Sequence, residues 1–334
     1  MGTRATDIWK AVSDALLGRP ELRGPEVPSL AGVTLEEGRR FWQALGFPAV
    51  PGGETAFTQR DVEALGFVAN LIDGDDGPDR EIMLQMARAT GQALSRVAHM
   101  HVLTIAGEVD VAARAPELSN NEAADRIADL AEGLVRGHEP FLGYIWRRHL
   151  LAAISHIVAS ATAHGAEEEG TAVGFADLVD FTAASQQLAE QELADVVDHF
   201  EKIIYQEIPD RGGRVIKTLG DEVMFSNPNP HAAAETALAL AAACEADELL
   251  PHVRVGVAFG STLAWEGDLY GPTVNLAHRL VGVARPGTVI VSEDLAQKLV
   301  DDETFTLVEI RDVKLKGIGR TKPWVLRRRE GGHA

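Results

Sequence analysis

The sequence predicts an α+β protein in two parts: an all-α domain over residues 1–165, then a ferredoxin-like β-α-β-β-α-β domain over residues 166–334. Three observations carry this. The first half spaces its apolar residues at helical intervals between Gly- and Pro-rich breaks. The second half alternates short β-branched runs with amphipathic stretches. Between them lies the polar segment AEEEGTA, which follows a long apolar stretch suited to a connector helix.

Taken in order, Thr34 to Leu45 has helical spacing and ends at GFP, and Thr58 with Asp61 resembles a capping box that opens a helix running to Leu71. GDDGPD breaks that helix. Helical patterning resumes from Arg80 to Ala106, and again from Asn121 through FLGYIWRRHLLAAISHIVASATAH. From Thr171 the period changes. TAVGFADLV reads as a strand, Leu188 to Ile208 as a helix, and GGRVIKTLGDEVMFS as a hairpin turning at LGDE. His231 to Leu249 is a second helix, HVRVGVAFG a strand, Val274 to Val283 a short helix, and TVIVS a strand leading into another helix.

Composition narrows the function. The chain has 334 residues, enough for two cores, and a formal net charge of −19, which argues against a nucleic-acid partner because phosphate backbones attract basic faces. Its single cysteine, Cys244, lies in an alanine-rich helix and reads as a small core residue, so neither a disulfide nor a thiolate metal site is expected. No charge-free apolar stretch is long enough to span a membrane and no signal-peptide pattern opens the chain, so the expected location is cytoplasmic.

Two acidic residues carry the first chemistry. Asp177 ends the first strand of the second domain, Asp221 sits in the LGDE turn, and strand and hairpin are neighbours in this fold. Two converging aspartates without His or Cys are hard oxygen ligands, suited to Mg²⁺ or Mn²⁺ and, through it, to a nucleoside triphosphate.

At this point the residues resemble the class III nucleotidyl cyclases. FADLVDFT resembles the first metal motif, KTLGDEVMF the second, DLYGPTVNLAHR the third and VKLKGIGRTKPW the closing strand motif, together covering about 171–327. The resemblance implies an adenylate cyclase forming cyclic AMP and pyrophosphate from ATP, with two Mg²⁺ or Mn²⁺ ions per site held by Asp177 and Asp221. It assigns base reading to Lys217 and Asp268, a pair that suits adenine because lysine donates to the ring N1 and aspartate accepts from the exocyclic amine. Asn275 and Arg279, one helical turn apart, match the residues that orient the ribose and stabilise the transferring phosphoryl group. Lys316 matches a basic residue at the terminal phosphates, with Lys314 sharing its motif. Phe181 and Thr182 lie where the family's backbone amides approach the phosphates.

In the family the metal aspartates come from one chain and the remaining groups from its partner, which implies a homodimer through the catalytic domains. Trp265 and Tyr270 suit either a dimer arm or the core. Asp180 departs from the glycine usual at its place and is expected to turn away from substrate and cap the following helix. A diguanylate cyclase-like enzyme would show GGDEF where this chain has LGDEV, and a catalytically silent nucleotide-binding module would have lost a matched residue.

The helical domain resembles the regulatory modules of soluble actinobacterial cyclases that respond to pH. His99, His101, His138, His149, His156 and His164 cluster there, and imidazole titrates near neutrality. A winged-helix pattern over TLEEGRRFWQALGFPAVPGGETAFTQRDVEAL and an apolar pocket for a lipid-like or other small effector are the other readings of this half.

Overall fold

The computed structural model describes residues 3–50, 53–72, 79–108, 120–163, 170–181, 185–186 and 188–329. The chain divides into two compact units, Met1–Gly165 and Ala166–Ala334.

The first unit is helical, as expected, with one small ribbon added. Its helices are α1 (Thr3–Leu17), α2 (Glu26–Leu30), α3 (Leu35–Ala44), α4 (Gln59–Ile72), α5 (Arg80–Glu108) and α6 (Asn120–Ala163). Thr34 caps α3 in a closed box: its hydroxyl accepts from the Glu37 N–H at 3.3 Å, and the Glu37 carboxylate accepts from the Thr34 N–H at 2.7 Å. At α4 the Thr58 N–H and hydroxyl both donate to Asp61, at 2.7 and 2.9 Å. The added ribbon pairs β1 (Leu22–Arg23) with β2 (Thr55–Phe57) and closes Phe57 over Val27, Val62 and Trp42. Helices α3 and α5 meet at Gly91, where a Cβ would lie 2.3 Å from the Leu45 carbonyl oxygen, so only glycine permits the crossing.

The second unit is a seven-stranded sheet in the order β10-β13-β9-β6-β3-β5-β4. These strands are β3 (Thr171–Leu178), β4 (Arg214–Leu219), β5 (Glu222–Asn227), β6 (Val253–Gly260), β9 (Val289–Val291), β10 (Phe305–Glu309) and β13 (Trp324–Arg328). The inner four, β6-β3-β5-β4, reproduce the ferredoxin-like order, with β3 antiparallel to both neighbours. Small hairpins β7 (Leu263–Trp265) with β8 (Asp268–Tyr270), and β11 (Val313–Leu315) with β12 (Gly319–Thr321), stand off the sheet.

Strand alternation divides the core into two layers. Ala172, Ala176 and Leu178 of β3 face the layer of α7 (Glu190–Asp210), α8 (Pro230–Ala246) and α10 (Glu293–Leu299). Val173 and Phe175 face the other layer, beneath α9 (Pro272–Val281). Asp177 has the parity of Phe175, so the strand period places its carboxylate on the α9 side. Helix α9 can lie close because a Cβ on Gly256 would meet the Ala277 carbonyl oxygen at 2.6 Å.

Two helix boundaries differ from expectation for local reasons. Helix α9 starts at Pro272, because proline suits the first helical position and Gly271, at φ 129°, supplies the turn before it. Helix α8 stops at Ala246, where Asp247 leaves helical geometry and accepts from the Leu249 and Leu250 N–H groups and from His199. Cys244 is fully buried in this layer, and its thiol pKa is pushed up to about 12 by burial first and by Asp247 second.

Candidate active site

Asp177 sits at the C-terminal end of β3, half-buried, between two registered neighbours: Glu222 on β5 and Arg254 on β6. Asp221 follows Gly220, whose φ of 66° makes the β4–β5 turn, and the Leu178 N–H donates to the Asp221 carbonyl at 3.1 Å, tying the turn to β3. The site is electrostatically loaded. Burial, then the neighbouring Asp221 charge, raises the Asp177 pKa, and Arg254 pulls it down.

Glu222 is pushed up to about 7 by burial first, then by Asp177 and Asp221, against the pull of Lys217. Its carboxylate lies 3.5 Å from His278, whose pKa is lowered by burial and then by Arg279. Both shifts favour the neutral forms, opposite to what a strong ion pair would produce, so near neutrality this contact joins a carboxyl that is about half protonated to a neutral imidazole.

A carboxyl raised in the folded state stabilises the fold while protonated. That contribution is present below Glu222's unfolded value of 4.5 and is lost as pH rises through about 7. Metal-free protein should therefore lose melting temperature across this window, and Mn²⁺ should raise the melting temperature more at alkaline pH than at acid pH. Glu222→Gln should flatten the metal-free profile; a profile unchanged by the substitution would remove Glu222 as the cause.

The two residues expected to read the base are brought together. Lys217 on β4 and Asp268 at the start of β8 form a part-buried ion pair, and the second Asp268 oxygen accepts from the Leu269 N–H at 2.8 Å. A β-bulge between Val215 and Lys217 sets this up: Val215 pairs with Phe225 and Lys217 with Met224, leaving one extra residue that resets side-chain parity. Asn275 and Arg279 are exposed on α9, one turn apart. Among the described residues they make no side-chain hydrogen bond or ion pair to Asp177 or Asp221.

Lys316 is exposed on the turn joining β11 to β12, with Lys314 exposed on β11 and Leu315 buried between them. The Phe181 ring packs against the core. Thr182 lies outside the described residues. Asp180 is exposed at φ 57°, a left-handed conformation that explains why glycine suits this place. The N–H groups it was expected to cap include residues outside the described set. Gly212, at φ 71°, serves the turn before β4.

Arg254 and Glu222 were missed by motif reading. The signal was there: in VRVGV a lone arginine interrupts a strand whose neighbours are buried, and its Nε–H is buried with no acceptor among the described residues. Placed in the same row as Asp177, it can receive an anion.

The donor set suits hard divalent cations. Asp221 is near enough to raise the Asp177 pKa, and among the described residues no third His, Cys, Asp or Glu joins them in a metal-sized group. Substrate and water oxygens would have to complete the coordination.

Residues 165–328 match the adenylate and guanylate cyclase catalytic domain. Over 328 residues the chain is 35% identical to an adenylate cyclase of Glutamicibacter nicotianae, covering 94% of this chain and 80% of that one. It is 34% identical to an adenylate cyclase of Streptomyces coelicolor, covering 90% and 84%. A pH-sensitive adenylate cyclase of Mycobacterium tuberculosis is 28% identical, covering 83% and 69%. With these matches running through both halves, the chain belongs to the class III nucleotidyl cyclase family.

Proposed function

We propose that this chain is an adenylate cyclase that converts ATP to 3′,5′-cyclic AMP and pyrophosphate at sites shared between two copies. The observation that carries the substrate is the Lys217–Asp268 pair, a donor and an acceptor side by side, as adenine's N1 and exocyclic amine require. Guanine presents the opposite edge. The relatives named as adenylate cyclases support the same choice.

Asp177 and Asp221 would hold two Mg²⁺ or Mn²⁺ ions, which when bound supply Lewis-acid activation of the ribose 3′-hydroxyl and charge neutralisation on the phosphates. Arg254 and Lys316 bind the outgoing phosphate oxygens, a role shared with the Phe181 and Thr182 amides. Asn275 orients the ribose. The 3′-oxygen attacks the α-phosphorus as its proton leaves, the bond to the bridging oxygen breaks, and pyrophosphate departs. Arg279 stabilises charge on the α-phosphoryl oxygens in that transition state.

Sharing is supported by exposure. Leu263, Trp265 and Tyr270 on the β7–β8 hairpin and Leu219 on the β4–β5 turn are apolar and open, which favours a dimer arm over a core role.

The helical unit supports regulation in two ways. The His101 and His138 rings meet with centroids 4.6 Å apart, so the contact of α5 with α6 runs through two imidazoles that like charge would separate. A cavity of about 260 Å³ bordered by Trp42, Phe47, Val50, Phe57 and Leu65 suits a small apolar effector.

One assay tests the reading: the full chain and a chain beginning at Ala166, each given ATP or GTP with Mn²⁺ or Mg²⁺ across mildly acid to mildly alkaline pH. Cyclic AMP is the expected product, with different pH profiles for the two chains. No cyclic AMP from either would end the activity; identical profiles would end regulation by the helical unit.

A further inference from the structure

We infer that His278 is a positioning residue that fixes the rotation of α9 about its own axis, and thereby the aim of Asn275 and Arg279. What those two side chains do rests on the adenylate cyclase reading; the anchoring is a property of the fold.

His278 stands where such control is exerted. At about 100° per residue it lies about 60° around the helix from Asn275 and about 100° from Arg279. That places it between their open face and the buried face formed by Thr273, Ala277, Leu280 and Val281. Its imidazole reaches two strands at once. The ring meets the Phe175 ring of β3 edge-on, with centroids 5.2 Å apart and planes at 77°, and Nε2 lies 3.5 Å from Glu222 Oε1 on β5. Phe175 precedes Asp177 by two residues and Glu222 follows Asp221, so the helix is tied to the two segments that carry the carboxylates.

The closest part of the α9 contact sets depth rather than rotation. A Cβ on Gly256 would lie 2.6 Å from both the Ala277 carbonyl oxygen and the Val281 nitrogen, so strand and helix backbones meet there with no side chain between them to resist rolling. Resistance comes from the flanks. Val274 packs on the same flank as His278 and Leu276 on the other, and His278 is the flanking residue in the turn that carries Arg279. A small roll of α9 would swing Arg279 away from the transferring phosphoryl group, and a displacement of about 1 Å at such a group costs up to about 100-fold in rate.

The role asks only for the ring and its contacts, not for a proton. Because 48% of the His278 side chain is open, truncating it leaves the core intact. The test compares the full-length wild type with His278→Ala, Arg279→Ala, the double variant and His278→Phe, which keeps a ring against Phe175. Two quantities are read: kcat and KM for ATP with Mn²⁺, and amide hydrogen exchange over residues 275–281 without nucleotide.

His278→Ala should lower kcat about 10-fold with KM changed less than about twofold, and His278→Phe should recover at least about half of the loss. In the Arg279→Ala background the same truncation should cost at most about threefold, because much of its effect passes through Arg279. Exchange over 275–281 should quicken in His278→Ala and return towards wild type in His278→Phe. An equal loss in both backgrounds, an effect on KM alone, or unchanged exchange would overturn the inference. Wild-type chain that forms no cyclic AMP would end the adenylate cyclase reading by itself, and the exchange comparison would still decide whether His278 anchors α9.

Discussion

Mixing equal amounts of Asp177→Ala and Arg279→Ala chains is expected to restore about a quarter of wild-type cyclic AMP formation, although each variant alone falls by at least 100-fold. The arithmetic follows from shared sites. Half of randomly formed dimers are mixed, and a mixed dimer holds one site with both defects and one with neither. The structural ground is that Asn275 and Arg279 are open to solvent on α9 while Asp177 lies at the end of β3, with no polar contact between them among the described residues. Asp180→Gly is the control and should keep activity, since its exposed left-handed backbone is one that glycine adopts more easily. A mixture no more active than its components would show that each chain works alone. Loss of activity in Asp180→Gly would show that the wrong carboxylate was assigned to metal.

Exchanging the pair proposed to read the base, Lys217→Glu with Asp268→Cys, should lower kcat/KM for ATP by 100-fold or more and raise that for GTP. A site built around hydrogen bonds rejects a base that leaves its buried groups unpaired, at roughly 1–3 kcal/mol for each group. Lys217 and Asp268 are partly buried and satisfy each other without substrate, so removing one alone strands the other. Lys217→Ala is therefore expected to damage ATP use nearly as much as the double exchange, without the gain for GTP. The measurement is kcat/KM for both nucleotides across the three proteins. An unchanged ATP-to-GTP ratio in the double exchange would place base recognition elsewhere.

Much of the catalytic unit was legible because its signals are local. The FADLVDFT strand, the LGDE turn and the spacing of Asn275 to Arg279 each depend on residues close in sequence, and strand or helix periodicity turns such spacing into a face. The helical nature of the first unit was legible for the same reason, down to the contact between Thr58 and Asp61 that opens α4. The β1–β2 ribbon was not, because Leu22 and Phe57 are far apart in sequence and pair through a core that the short strands do not announce.

The sequence alone determined which residue types were present for two-carboxylate, base-reading and phosphoryl-stabilising chemistry, and the order in which their elements follow one another. Tertiary structure decided what stands beside what. Register across β5, β3 and β6 put Glu222 and Arg254 on either side of Asp177, and the bulge in β4 turned Lys217 toward Asp268. The reason is physical: a strand's period states which face a side chain takes, but the partner across the ladder depends on hydrogen-bond register between segments tens of residues apart. There, burial and neighbouring charge raise the Asp177 and Glu222 pKa values.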